Sequence, residues 1–142
     1  MVTSVFVPGT PAPQGSAKAY VMHTGTGKTR AVVTHDNKHT MPWRDRVSAF
    51  VRDAIGPGIV YPKGPVYVQI TFVMPRRASE PKRRTSAHTR KPDADKLLRA
   101  CLDSMTGLVF TDDAQVTSIV ATKRTAAVGE QPGVSIIWGL GS

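Results

Sequence analysis

The stretch Pro65–Met74, PVYVQITFVM, constrains the fold most. It is dense in β-branched and aromatic residues and is interrupted by Gln69 and Thr71, which is the signature of a strand. What flanks it decides the class. Before it, TMPWRDRVSAFVRDAIG places Trp43, Val47, Phe50, Val51 and Ile55 at helical spacing, so a helix is expected over Met41–Ile55. Thr40 is its expected cap, and Gly56 with Pro57 its stop. After it, a second helix is expected over Pro92–Thr106. Pro92 opens its first turn, Leu97, Leu98, Cys101, Leu102 and Met105 form its buried stripe, and Gly107 ends it. Shorter strands are expected at Ser4–Val7, at Tyr20–Met22 and Arg30–Thr34 (a hairpin around HTGTGK), at Gln115–Lys123 and at Gly133–Gly139. The segment PGTPAPQGS is turn-rich loop. The whole chain, 1–142, therefore reads as one α/β (α+β) domain: a mixed, mostly antiparallel sheet with two main helices.

Charge narrows the partners. The 142 residues carry a formal net charge of +9, with a pI near 10.2, a balance suited to a polyanion such as nucleic acid. No apolar run approaches the ~20 residues of a membrane span, and no basic amphipathic helix argues for a membrane surface. The N-terminus lacks a signal-peptide pattern, and the single cysteine, Cys101, rules out an internal disulfide framework, so a cytoplasmic, reducing location is expected.

Against this basic background the acids cluster. Asp93, Asp95, Asp103, Asp112 and Asp113 are five of the ten acidic residues and fall within one short stretch. Each has a plain explanation. Asp93 and Asp95 suit a helix N-terminus, Asp95, Arg99 and Asp103 suit an i,i+4 salt-bridge ladder, and Asp112-Asp113 suit a turn. Together they suggest more. A segment returning antiparallel beside the second helix would bring Asp112-Asp113 back to Asp93 and Asp95. Converging carboxylates repel unless a cation sits between them, and all-oxygen ligation selects a hard ion such as Mg²⁺. A metal seat inside a phosphate-holding surface is what metal-assisted phosphodiester cleavage needs.

The pattern K-P-D-x-D-x-L-x-[KR]-x-x-x-D-…-D-D-x-Q-V resembles the RusA-type Holliday junction resolvases, small endodeoxyribonucleases common in phages and prophages. It is carried by Lys91, Pro92, Asp93, Asp95, Leu97, Arg99, Asp103, Asp112, Asp113, Gln115 and Val116, with the N-terminal loop VPGTPAPQGSAKAY in support. The resemblance implies a homodimer that binds four-way DNA junctions and nicks them in pairs with Mg²⁺ or Mn²⁺, in recombination and repair. It assigns metal-binding carboxylates to Asp93, Asp95 and Asp113, with Asp112 and Asp103 in support. Arg99 stands where the family usually has a catalytic lysine. It keeps the charge but does not transfer protons at neutral pH. Lys96 stands where the family usually has Asn.

The segment Arg76–Lys91 carries seven cations against Glu80, two-thirds of the chain's net charge. Arg76, Arg77, Lys82, Arg83, Arg84, Arg90, Lys91 and Lys96, with Lys18, are the expected DNA contacts, and Thr85, Ser86, His88 and Thr89 could hydrogen-bond phosphate oxygens. Other motifs read as decoys. GTGKT (Gly25–Thr29) lacks the leading glycine of a nucleotide loop, whose position holds Met22, so no nucleotide cofactor is expected. His35, Asp36 and His39 read as a polar loop before a helix, and Cys101 and Trp43 as core. Three functions stay open: a metal-dependent junction nuclease, a non-catalytic nucleic-acid-binding protein, or a Mg²⁺-dependent phosphodiesterase for other branched DNA or RNA.

Overall fold

The computed structural model describes residues 2–15, 17–23, 25, 27, 29–35, 38–57 and 63–141, with strands 17–23 and 29–35 described through their backbone. The elements run β1 (Val2–Pro8), β2 (Ala17–His23), β3 (Thr29–His35), α1 (Thr40–Ile55), β4 (Val66–Met74), α2 (Ala94–Met105), a 3-10 turn (Asp113–Gln115), β5 (Val116–Thr125) and β6 (Gly133–Leu140). β2 and β3 form the expected hairpin, longer than its sequence signal, with Tyr20 opposite Val32.

The main sheet has the order β1-β6-β4-β5. β6 lies antiparallel between β1 and β4, placing Ile136 beside both Val5 and Ile70. β4 and β5 are parallel, Ile70 beside Ala121. A parallel pair cannot be closed by a hairpin, so the chain crosses over through the basic loop and α2. That crossover sets the position of everything functional. The basic loop and the start of α2 fall at the carboxyl end of β4, and α2 runs back toward the start of β5.

The core lies between the sheet and the helices. Val66, Val68, Ile70, Phe72 and Met74 alternate onto the buried face of β4. Against them pack Trp43, Val47 and Val51 of α1 and Leu97, Cys101 and Met105 of α2. The helices are tied to each other where Ser48 Oγ donates to the Ser104 carbonyl at 2.9 Å. Gly133 has no room for a side chain: a Cβ there would sit 2.3 Å from the Val7 carbonyl, so glycine lets β6 close on β1.

Three expectations are corrected. Thr40 is not the cap of α1. His39 holds that position, while Thr40 is buried and its hydroxyl donates to the Pro13 carbonyl at 2.6 Å, fastening the N-terminal loop. Pro92 lies outside α2, whose N-cap position is Asp93. The chain after α2 does not return along the helix as a strand. Gly107 reverses it at φ 81°, and Val109 and Phe110 then turn into the core. Burying those two side chains uses up the segment that was expected to run back toward Asp93.

Candidate active site and nucleic-acid interface

Asp93 begins the site. Its backbone is extended (φ −69°, ψ 141°), and its carbonyl accepts the Leu97 N–H at 3.1 Å. Its carboxylate makes no capping hydrogen bond and is exposed, 4.0 Å from Lys96 Nζ. Asp95, two residues on, is also exposed. Two outward carboxylates at the positive end of a helix are electrostatically tolerated there. The salt-bridge ladder expected through Asp95, Arg99 and Asp103 is not formed among the described residues. Among the described residues, ion pairs within 4 Å are Lys96–Asp93 and Arg124–Glu130.

The segment carrying Asp93 is held from below. Lys123, near the end of β5, donates from Nζ to the Arg90 carbonyl at 2.8 Å and the Pro92 carbonyl at 2.9 Å. On the other side the Gln14 N–H donates to the Lys96 carbonyl at 3.0 Å, joining the N-terminal loop to α2. Between that loop and the Arg90–Lys96 segment lies a cleft of about 850 Å³, with Asp93 on its rim.

Asp112 and Asp113 divide their work. Asp112 is an N-cap: its Oδ1 accepts the Ala114 N–H at 2.8 Å, and Gln115 Oε1 reaches back to the Asp112 N–H at 3.2 Å, a capping box. Gln115 Nε2 also donates to the Gly64 carbonyl at 3.0 Å. Asp113 is exposed and lines a small hollow with Leu98, Arg99 and Leu102, beyond the first turn of α2 rather than at its start. The reason is topological. β5 runs away from Asp113, and seven residue steps, about 23 Å of strand, separate Val116 from Lys123, the residue that holds the Asp93 segment. Asp93 and Asp95 offer the hard oxygen donors a divalent ion takes. Yet among the described residues no group of three or more His, Cys, Asp or Glu side chains is gathered to hold a metal ion. Asp113 stands beside Arg99, one helical turn after Asp95.

The basic loop is built around one of its own cations. Arg76 is half-buried, and its guanidinium donates to Thr85 Oγ1 at 3.0 Å, to the Ala126 carbonyl at 3.1 Å, to the Arg84 carbonyl at 2.6 Å and to the Pro81 carbonyl. Expected as a DNA contact, Arg76 is instead the post on which the loop is wound. Glu80 accepts the Ser86 N–H at 3.1 Å, and its hydrogen bonds to Ser86 hold its carboxyl below the usual range. So organised, the loop leaves Lys82, Arg83 and Arg84 exposed and outside any ion pair among the described residues, with Arg77 and Lys91 also exposed and Arg90 half-buried. His88 is 8 % exposed, its Nδ1 without a partner. Burial first, then the Lys123 and Arg90 cations, hold its pKa below the ordinary value.

The remaining candidates are quickly placed. The Lys18 and Arg30 side chains, Lys28 and Asp36 lie outside the described residues. Gly25 and Gly27 are exposed between two antiparallel strands. Trp43 is core. Cys101 is core too, its thiol pushed up to about 12 by burial and therefore inert. No described helix is long and apolar enough to cross a membrane. Lys123 and Gln14 were not anticipated. Lys123 had a signal, since it is the first charge in a strand otherwise uncharged from Val116. Gln14 had none.

A basic α+β domain with an exposed carboxylate at a cleft mouth and a cation-bearing loop beside it has the equipment of a protein that handles nucleic-acid backbone. The family model for the endodeoxyribonuclease RusA matches residues 8–137, and the chain belongs to that family. No curated protein matches it.

Proposed function

We propose that the protein is a Mg²⁺-dependent endodeoxyribonuclease that binds four-way DNA junctions as a homodimer and resolves them by paired symmetric nicks in recombination and repair. The observation that carries this reading is the exposed Asp93 on the rim of a cleft that also holds Arg90, Lys91 and Lys96, with Asp95 exposed two residues on, in a chain of this family. Mn²⁺ is expected to substitute for Mg²⁺, since both accept oxygen ligands. When bound, the ion supplies charge stabilisation at the phosphate. The chain's own groups hold the substrate. Lys82, Arg83 and Arg84 take backbone phosphates, Arg99 keeps a permanent positive charge between the two carboxylate regions, and Lys123 fixes the segment from which Asp93 projects.

The homodimer has a surface to form on. β5 is an edge strand, and Thr117–Thr122 are exposed on both faces, Val120 to 55 %. Edge strands are usually guarded by charge, proline or a bulge, and Val116–Thr122 has no charge or proline. Read backwards about Ile119–Val120, Thr117 meets Thr122 and Ser118 meets Ala121, nearly size for size. Antiparallel pairing with a second copy would satisfy both edges and create the two-fold axis that a four-way junction needs. It would also set the partner's Val116 opposite Lys123, moving the partner's Asp113 toward Asp93. The metal seat would then draw on carboxylates of both copies.

The test is a nicking assay on a synthetic four-way junction, with Mg²⁺, Mn²⁺ or EDTA, against fork, flap and linear duplex controls. Paired nicks with either metal, none with EDTA and little on linear DNA are expected. Equal cutting of every substrate would replace junction resolution with general nuclease activity, and no cutting in any condition would leave a binding protein.

A further inference from the structure

The cleft behind Asp93 holds more than a phosphate needs. We propose that it is a pocket for a single unpaired nucleotide, drawn out of the DNA at the branch point beside the strand to be cut. This rests on the junction-nuclease reading above and deepens it.

Unfilled hydrogen bonds mark the cleft. Buried polar atoms are nearly always partnered, and one left without a partner asks for an explanation. Two such atoms belong to residues that line this one cleft: Gln14 Oε1 and His88 Nδ1. They come from different parts of the chain, the N-terminal loop and the end of the basic loop. His88 is more than nine-tenths buried, so water does not readily serve it. Both groups offer what a base edge reads. An amide carries a donor and an acceptor, and a neutral imidazole carries one of each. Burial and the neighbouring cations lower that imidazole's pKa and so disfavour its charged form.

The walls fit the same ligand. Pro11, Pro13, Pro75 and Pro92 give flat apolar sides, while Arg90, Lys91 and Lys96 give cations. An extruded base is held in this way, between apolar side chains with its edge hydrogen-bonded. No Phe, Tyr or Trp lines the cleft among the described residues, so the base would be gripped mainly by proline walls. The volume of about 850 Å³ lies within the roughly 300–1,000 Å³ range of small-molecule sites. That is room for a nucleotide and not for a duplex. Its rim carries Asp93, so a nucleotide seated there would place its flanking phosphate by the carboxylates. Branch-point bases are the natural occupants, because they cost least to unstack.

The experiment uses the full chain with junctions carrying 2-aminopurine at each position flanking the branch point, in Ca²⁺ to suppress cutting. Binding should brighten one position several-fold. Gln14→Leu keeps the side-chain size and removes the amide. It should abolish the brightening while junction affinity stays within about three-fold, since backbone cations dominate affinity. His88→Asn is the second variant, with the same expected loss of signal. Full binding by the wild type without brightening at any position would overturn the pocket and leave the nuclease reading standing. So would brightening that survives in both variants. Tight binding of free deoxynucleoside monophosphate without DNA, followed by chemical-shift changes, would make the cleft a free-nucleotide site and also overturn it. Failure of the wild type to bind the junction at all would remove the functional reading and this inference together.

Discussion

β4 and β5 are neighbours, parallel to each other, nine and ten residues long, and both rich in β-branched residues. They have opposite fates. β4 has a fully buried face and β6 on its other edge. β5 has six consecutive exposed residues and nothing on its outer edge among the described elements. Composition does not separate the two strands. Coverage does. The molecule uses one strand to hold the domain together and leaves the other, with Asp113 before it and Lys123 near its end, largely exposed.

The contrast breaks most simply by truncation. Phe72→Ala on β4 should cost about 3–5 kcal/mol of stability, because it empties a fully buried site. Val120→Ala on β5 should stay within about 0.5 kcal/mol, as exposed substitutions do. Denaturant unfolding in dilute solution, where any dimer is dissociated, measures both. Equal costs would mean β5 is covered in the free protomer.

Val120→Lys sharpens the comparison. It places like charges near the two-fold axis of a β5–β5 pairing, where directly opposed charges disfavour association. Sedimentation at micromolar concentration should show dimer for the wild type and monomer for the variant, with the fold intact by circular dichroism. A variant that still dimerises would move the interface elsewhere.

A similar division runs through the basic loop. Replacing Arg83 and Arg84 with alanine should weaken junction binding and flatten its salt dependence by up to about two units, one per lost phosphate contact. The fold should not change, because neither side chain is in an ion pair among the described residues. Arg76→Ala should do the reverse, loosening the loop it organises. Affinity against salt concentration distinguishes them.

The smallest effect is on pH. His88 has its pKa lowered in the folded state from the ordinary 6.5, so the unfolded chain takes up a proton first on acidification. Stability should therefore be full above about pH 6.5 and decline as the pH falls through the window below it. His88→Asn should flatten that decline, read from unfolding midpoints at matched ionic strength.

Much of this was readable before the structure. The helical stripe of Val47 and Val51, the stripe of Leu97, Cys101 and Met105, and the alternation in β4 are local patterns, and local patterns survive folding. The family motif was legible for the same reason. What escaped were facts about opposition in space. Nothing in Thr117–Thr122 tells a strand that its faces will be bare. Nothing in Arg76 distinguishes it from Arg83, although one is wrapped by four acceptors and the other is exposed. The aspartates were expected to meet within one chain, because a short return strand is the simplest path. Burial of Val109 and Phe110, and the parallel course of β5, took a different one.

The central claim is that two copies share each cutting site through β5, and subunit mixing tests it most directly. Asp93→Asn and Asp113→Asn are prepared separately, each expected to be inactive on junctions with Mg²⁺ while still binding them, and are then mixed and allowed to exchange. If Asp93 of one copy works with Asp113 of the other, the mixed dimer contains one intact site, and single-strand nicking returns. If each copy carries its own complete site, every site in the mixture holds a lesion. Nicking then stays absent, and the shared-site account is wrong.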